Sequence, residues 1–317
     1  MLKFARMQIK YRIGVMPGPW PDGPDGRELL WKLIDYCEAS EIDSLWFSER
    51  LSSPIPVLEP MTTMAAVAAR TRRLKFGPSV LVAPFRSPVL MARELAMLDY
   101  LSNGRALPAV GIGVELEREF RAAGVPFRER GRRTDETIEI LRRCWTEDEV
   151  TYAGEFWQLD RVQVLPKPVQ RPFPLWIGGK SEAAMRRAGR AGDGWMPSFI
   201  TPAEFGAGVE RTLGFAAQAG RTVPADHFGT LVYYCLAPDT AAARSVAMPY
   251  VPRGRVDDAT LDACTAFGPA DLLVERLEQY VAQGGSKFIA RPMCPPDQML
   301  EQLARLNGDV IPVLHRR

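Results

Sequence analysis

The chain has 317 residues, 46% of them apolar, and a formal net charge of +2. That is enough apolar content for one large α/β barrel or two medium domains, and so small a charge gives no basis for a nucleic-acid or membrane surface. Five scattered cysteines with no CxxC, and only two histidines, exclude a disulfide frame, a thiolate zinc site and a histidine-rich metal site.

Lys10–Met16 (KYRIGVM) reads as the first strand, and Pro17–Gly26 as a loop rich in Pro, Gly and Asp. Leu30, Leu33, Ile34 and Cys37 then recur at the spacing of one helix face. Ser44–Ser48 is the second strand and ends in Glu49-Arg50. A helix over Pro60–Arg70 leads to strand three, Leu74–Ala83. A helix over Val89–Leu101 leads to strand four, Leu107–Gly113. After an irregular stretch comes a helix over Thr134–Trp145. Val150–Leu165 alternates like a hairpin, which marks an insertion near 150–172.

Phe173–Ser198 reads as strand, glycine turn, helix, strand. Leu175–Ile177 is a short buried strand. Gly178-Gly179 lets the backbone turn and approach a ligand closely, and Ser181 suits the N-cap of a helix over Glu182–Arg190. Free amides and a positive helix end then point out of the strand's carboxyl end, which suits a phosphate; the plain alternative is an ordinary βαβ connection. Gly194–Pro197 is strand six. A helix over Ala203–Ala219 leads to strand seven, Gly229–Leu236, and Asp239–Ala266 reads as a second, helical insertion. Ala270, Leu273, Val274, Leu277 and Val281 mark the next helix, Lys287–Met293 is strand eight, and a last helix begins near Pro296.

Eight strands, most followed by a helix, predict a (β/α)8 TIM barrel in a single domain with insertions near 150–172 and 239–266. A doubly wound open sheet is the other arrangement, but Met16-Pro17-Gly18-Pro19 is not its glycine fingerprint. In a barrel, chemistry gathers at the carboxyl ends of strands. That rule selects Met16, Trp20, Glu49, Arg50, Val82–Arg86, Glu115, Gly178–Lys180, Trp195–Ser198, Tyr233, Tyr234 and Arg291. The mouth so defined is apolar and aromatic with a few charges, a lining that suits a flat ring system. No GxSxG elbow accompanies His227 or His315, so a Ser-His-Asp triad is not expected.

Several segments, in order, resemble one family. TRRLKFGPSVLVAPFRSP and ARELAMLDYLSNGR resemble the third strand and following helix of the luciferase-like flavin- and deazaflavin-dependent oxidoreductases. PAVGIG resembles their fourth strand, and RGRRTDETIEILRRCW, PKPVQRPFPLWIGG and AGDGWMPS resemble their central block. The resemblance runs from about residue 40 to 200 and thins beyond. It implies a barrel that binds reduced FMN or coenzyme F420 at its carboxyl end, with a non-prolyl cis peptide at Ser79–Val80 pressing on the ring system. It carries phosphate binding to Gly178, Gly179, Gly194 and Trp195. Gly111, Lys180 and Met196 are counted to the same cofactor surface. It also implies a monooxygenase acting with O2 on a small organic substrate or, alternatively, F420-dependent hydride transfer without O2.

The sequence departs from the family at two places. Many members carry a histidine after strand two where Glu49-Arg50 stand here, and arginine cannot shuttle a proton near neutral pH. Strand four usually continues with a glycine and an aromatic, where Glu115-Leu116 stand here. Glu49 is the candidate general acid/base, with a rim salt bridge as the plain alternative. Arg50 and Arg291 are candidate anchors for a substrate carboxylate or phosphate, and Met16, Phe85, Glu115 and Tyr233 are expected to line the pocket. The expected partners are a small-molecule substrate, a separate flavin or F420 reductase and a second copy in a homodimer. No leader or membrane-length run is visible, so a cytoplasmic location is expected. A non-catalytic flavin-binding barrel, and a hydrolase or lyase of phosphorylated metabolites, are the readings from other classes.

Overall fold

The computed structural model describes residues 11–252, 254 and 256–315. Eight parallel barrel strands run through it: β1 Arg12–Val15, β2 Ser44–Phe47, β3 in two segments (Lys75–Pro78 and Leu81–Val82), β4 Ala109–Gly111, β5 Trp176–Gly178, β6 Gly194–Met196, β7 Gly229–Leu236 and β8 Lys287–Pro292. β8 pairs with β1 and β7, β1 with β2, and β2 with β3. Leu81–Val82 pairs with β4, β4 with β5 and β5 with β6. The bridges Trp195–Phe228 and Ser198–Leu231 join β6 to β7, so the ring of eight closes. Lys10, placed in the first strand from the sequence, lies outside the described residues.

Strand alternation divides the core in two. Leu45, Phe47, Val110, Ile177, Trp195, Phe288 and Ala290 face the surrounding helices. Met16, Trp46, Ala109, Trp176, Met196, Leu231, Tyr233 and Ile289 fill the barrel itself. At the amino-terminal end the buried Lys287 reaches Asp43 at 2.9 Å, tying β8 to the start of β2. Helix starts follow local chemistry. Glu59 caps Pro60–Arg70 by accepting from the Thr62 amide, and Thr201 and Glu204 form a capping box ahead of Pro202–Gln218.

Two expectations are corrected and one is met. The stretch after β4 is not irregular throughout: it contains the helix Glu117–Ala122, and the following helix starts earlier, at Arg130. The hairpin of the first insertion is present, with strands Val150–Ala153 and Gln158–Val162 paired antiparallel. The second insertion is not purely helical. Helices Thr240–Ala247 and Asp258–Cys264 are followed by a buried strand, Thr265–Gly268, which pairs with β7 from outside the ring.

Candidate active site

The carboxyl ends of the strands bring one layer of side chains together. By register, Met16 follows the β1–β8 pair Val15–Ala290, Tyr233 stands opposite Arg291, Gly111 follows the β4–β5 pair Val110–Ile177, and Gly178 stands opposite Met196. The Ser79–Val80 peptide is cis, where the family resemblance places it. Val80 fills the space that side chains at two glycines would take. A Cβ at Gly111 would lie 2.7 Å from Val80 Cγ2, and one at Gly178 would lie 2.7 Å from Val80 Cγ1. Ser79 and Val80, between the two segments of β3, are partly exposed.

From this layer the chain leaves β5 through Gly179, Lys180 and Ser181, all exposed. Gly179 has φ of 106°, a conformation that L side chains rarely adopt. Ser181 caps Glu182–Ala191 by accepting from the Ala184 amide at 3.2 Å. The Gly178–Met196 ladder pair turns the Gly179 amide toward the Met196 carbonyl, whereas among the described residues the amides of Lys180 and Ser181 donate to no protein acceptor. The turn therefore offers two unengaged donors at a helix N-terminus just beyond Gly178, the arrangement a phosphate needs.

Several expected site residues stand differently. Trp195 faces outward: it is fully buried, stacks on Phe205 and donates from Nε1 to the Gly179 carbonyl at 2.8 Å. It holds the glycine turn from behind, so its side chain does not line the mouth. Gly194 carries the chain past Trp176, whose ring lies 2.6 Å from where its Cβ would be, inside the barrel below the mouth. Lys180 Nζ donates to the Phe199 carbonyl at 2.7 Å rather than projecting over the turn. Glu115 is a clear correction, with a side chain 87% exposed and 3.8 Å from Arg130. Phe85 lies edge-on to Phe120, 4.9 Å away, at the rim between β3 and the helix after β4.

The two residues after β2 are tied down. Glu49 accepts from the Val82 amide at 2.5 Å and from Arg86 Nε and Nη2 at 3.0 and 2.5 Å. Oε2 therefore holds β3 just beyond the cis peptide while Oε1 pairs with Arg86, which is the rim salt bridge rather than a free acid/base. Burial pushes its carboxyl up from the ordinary range, by more than Arg86 and the Val82 amide pull it down. Arg86 also meets Glu59 at 2.8 Å. Arg50 places Nε and Nη2 at 2.8 and 2.6 Å from Glu119 Oε1, and Glu119 is buried. Sequence reasoning missed both partners, Arg86 and Glu119. Nor does either histidine compensate: His227 bonds the Asp193 carbonyl and His315 the Tyr11 carbonyl, both at the amino-terminal end of the barrel.

Arg291 is placed differently again. Its Nη1 lies 3.5 Å from Met16 Sδ and its guanidinium 5.8 Å from the Tyr233 ring. Tyr233 in turn stacks on Phe199 at 4.4 Å. Arg291 borders a small cleft, about 40 Å³, with Met16, Trp20, Phe47, Ile55 and Val57.

The structure is a closed parallel barrel with an exposed glycine turn after β5 and a cis Ser79–Val80 peptide at its carboxyl end. The chain belongs to the luciferase-like monooxygenase family, which its residues 17–255 match. It is 34% identical over 178 residues to an F420-dependent glucose-6-phosphate dehydrogenase of Amycolatopsis mediterranei (strain U-32), covering 52% of this chain and 52% of that one. It is 35% identical over 169 residues to an FMNH(2)-dependent dimethylsulfone monooxygenase of Pseudomonas putida, covering 52% of this chain and 46% of that one. The chain thus spans about half the length of these curated relatives. The crystal structure of monooxygenase RslO1 from Streptomyces bottropensis shares the fold at a TM-score of 0.83 and 22% identity, over 96% of this chain and 99% of that one. No helix among the described residues is long and apolar enough to cross a membrane.

Proposed function

We propose that this chain is a flavin-dependent monooxygenase that binds reduced FMN at the carboxyl end of the barrel. The observation that carries the reading is the exposed turn at Gly179–Ser181, where the amides of Lys180 and Ser181 have no protein acceptor and which follows Gly178, the glycine packed against Val80. The residues fit such a carrier: the amides and Ser181 would hold its phosphate, and Val80 with Gly111 and Gly178 would form the floor beneath its rings. When bound, reduced FMN supplies, with O2, the oxygenating chemistry. The chain's own residues position and shield. Met16, Met196, Phe199 and Tyr233 keep the floor apolar, which limits water. Glu49 and Arg86 fix the β3 bulge, and Trp195 fixes the turn. A separate reductase would deliver the reduced carrier to a protein acting on a small organic substrate, in a homodimer.

The alternative is hydride transfer with F420, which the Amycolatopsis relative's name favours. The site after β2 weighs against a histidine-dependent form of that chemistry, since Arg50 is locked to Glu119 there. Anaerobic titration of the purified chain with reduced FMN and, separately, with F420 decides between them. The proposal expects FMN to bind at least about tenfold more tightly, a difference near 1.4 kcal/mol. The opposite ranking would transfer the reading to F420.

A further inference from the structure

We propose that the substrate carries a carboxylate, and that Arg291 receives it with an apolar substrate body packed beside Trp20, Phe47, Ile55 and Val57. The proposal deepens the functional reading above and rests on the barrel mouth being the reaction site.

Arg291 is the charged member of an otherwise apolar layer. Strand alternation turns it inward with Ile289 and Met293, and its register neighbours are Met16 and Tyr233. Among the described residues no carboxylate lies within 4.0 Å of it, whereas Arg50, Arg86 and Arg142 each have one. Its partners are a thioether and an aromatic face, and its Nε is buried with no acceptor. Other arginines that lack an ion pair use backbone carbonyls instead: the exposed Arg73 reaches those of Cys37, Ser40 and Ile42, and the half-buried Arg276 those of Asp262 and Ala263. An unmatched guanidinium in an apolar layer is costly unless an anion completes it.

The surroundings narrow the anion. One cation with an unsatisfied Nε matches a monoanionic carboxylate; a phosphate dianion calls for more positive charge than this layer holds. The cleft walls are Trp20, Phe47 and the loop residues Ile55–Leu58, of which Ile55 and Val57 are exposed. Apolar side chains presented to solvent at the rim of a cleft suit an apolar ligand body. This anchor lies on the β1–β8 side of the ring, apart from the phosphate turn above β5, so the two anionic groups do not compete.

The test is calorimetric titration of the full chain with hexanoate, octanoate and 3-phenylpropanoate, each paired with its primary amide. At least one acid should outbind its amide by about tenfold or more, the loss typical of a charge-assisted hydrogen bond. That preference should vanish in Arg291→Met and persist in part in Arg291→Lys. Circular dichroism confirms folding, with Arg291→Gln as the second variant. If no acid outbinds its amide, or if the preference survives in both Arg291→Met and Arg291→Gln, the proposal is overturned. Reduced FMN and F420 titrations of the same variants should match the parent chain. Failure of the parent to bind either carrier would sink the functional reading while leaving the acid-over-amide result to judge this one.

Discussion

Replacing Gly178 by alanine probes the contact between the phosphate turn and the bulge of β3. The new Cβ would lie 2.7 Å from Val80 Cγ1 and 3.4 Å from Cγ2, against about 3.5–4.0 Å for an ordinary carbon contact. One of the two must therefore move by nearly an ångström. Val80 has little room to yield, because its Cγ2 already occupies the place of a side chain at Gly111. Overpacking of this kind costs about 1–3 kcal/mol. Removing the opposing methyls in Gly178→Ala/Val80→Ala should recover about half of that or more, which a double-mutant cycle reads as a coupling energy. Urea unfolding of the four proteins gives the stabilities. Titration with whichever carrier binds gives the functional side, where Gly178→Ala should lose about tenfold in affinity, near 1.4 kcal/mol, and the double variant should regain part of it. If Gly178→Ala is as stable as the parent, or costs the same with and without Val80, Val80 does not press on the turn and the reasoning fails.

Other outcomes follow from single contacts. Gly179→Ala must adopt a φ of 106°, so it should lose about 1–2 kcal/mol of stability by urea unfolding and weaken carrier binding as well. Arg50→Met leaves the buried Glu119 without its partner and should cost about 2–4 kcal/mol by the same assay; unchanged stability would mean that the pair is not formed. Burial works to raise the Asp43 carboxyl, but Lys287 and Lys75 outweigh it and hold the group well below the ordinary range. A depressed carboxylate stabilises the fold above its unfolded value and stops doing so as pH falls through the folded one. Asp43→Asn should therefore be less stable than the parent at pH 7, with the gap closing in acid below about pH 4. A gap that widens in acid would contradict the pairing.

Much of the fold was legible because each barrel strand is a short apolar run between turn residues, and the glycine turn after β5 announced itself through Gly178-Gly179 and Ser181. The strand Thr265–Gly268 was not legible: four residues directly after a helix carry no period of their own, and only pairing with β7 defines them. The helix Glu117–Ala122 was hidden by its charged sequence, which shows no apolar face. Trp195 could have been placed correctly. Gly194 and Met196 flank it in a period of two, so once they face the barrel the indole must face the helices. The same alternation puts Arg291 inward beside Ile289. What no local pattern reveals is the partner of a charge. Glu49 meets Arg86 and Arg50 meets Glu119 across separations of 37 and 69 residues, so residues that looked available for chemistry are tied down.

On this reading the unengaged amides of Lys180 and Ser181 grip the phosphate of a ring cofactor. That grip is tested most directly by comparing each carrier with its phosphate-free counterpart: reduced FMN against reduced riboflavin, and F420 against its deazaflavin core. The phosphate-bearing form of one carrier should bind at least about tenfold more tightly, and that margin should shrink in Gly179→Ala. Equal affinity with and without the phosphate for both carriers, or no binding of either below about millimolar, would contradict it.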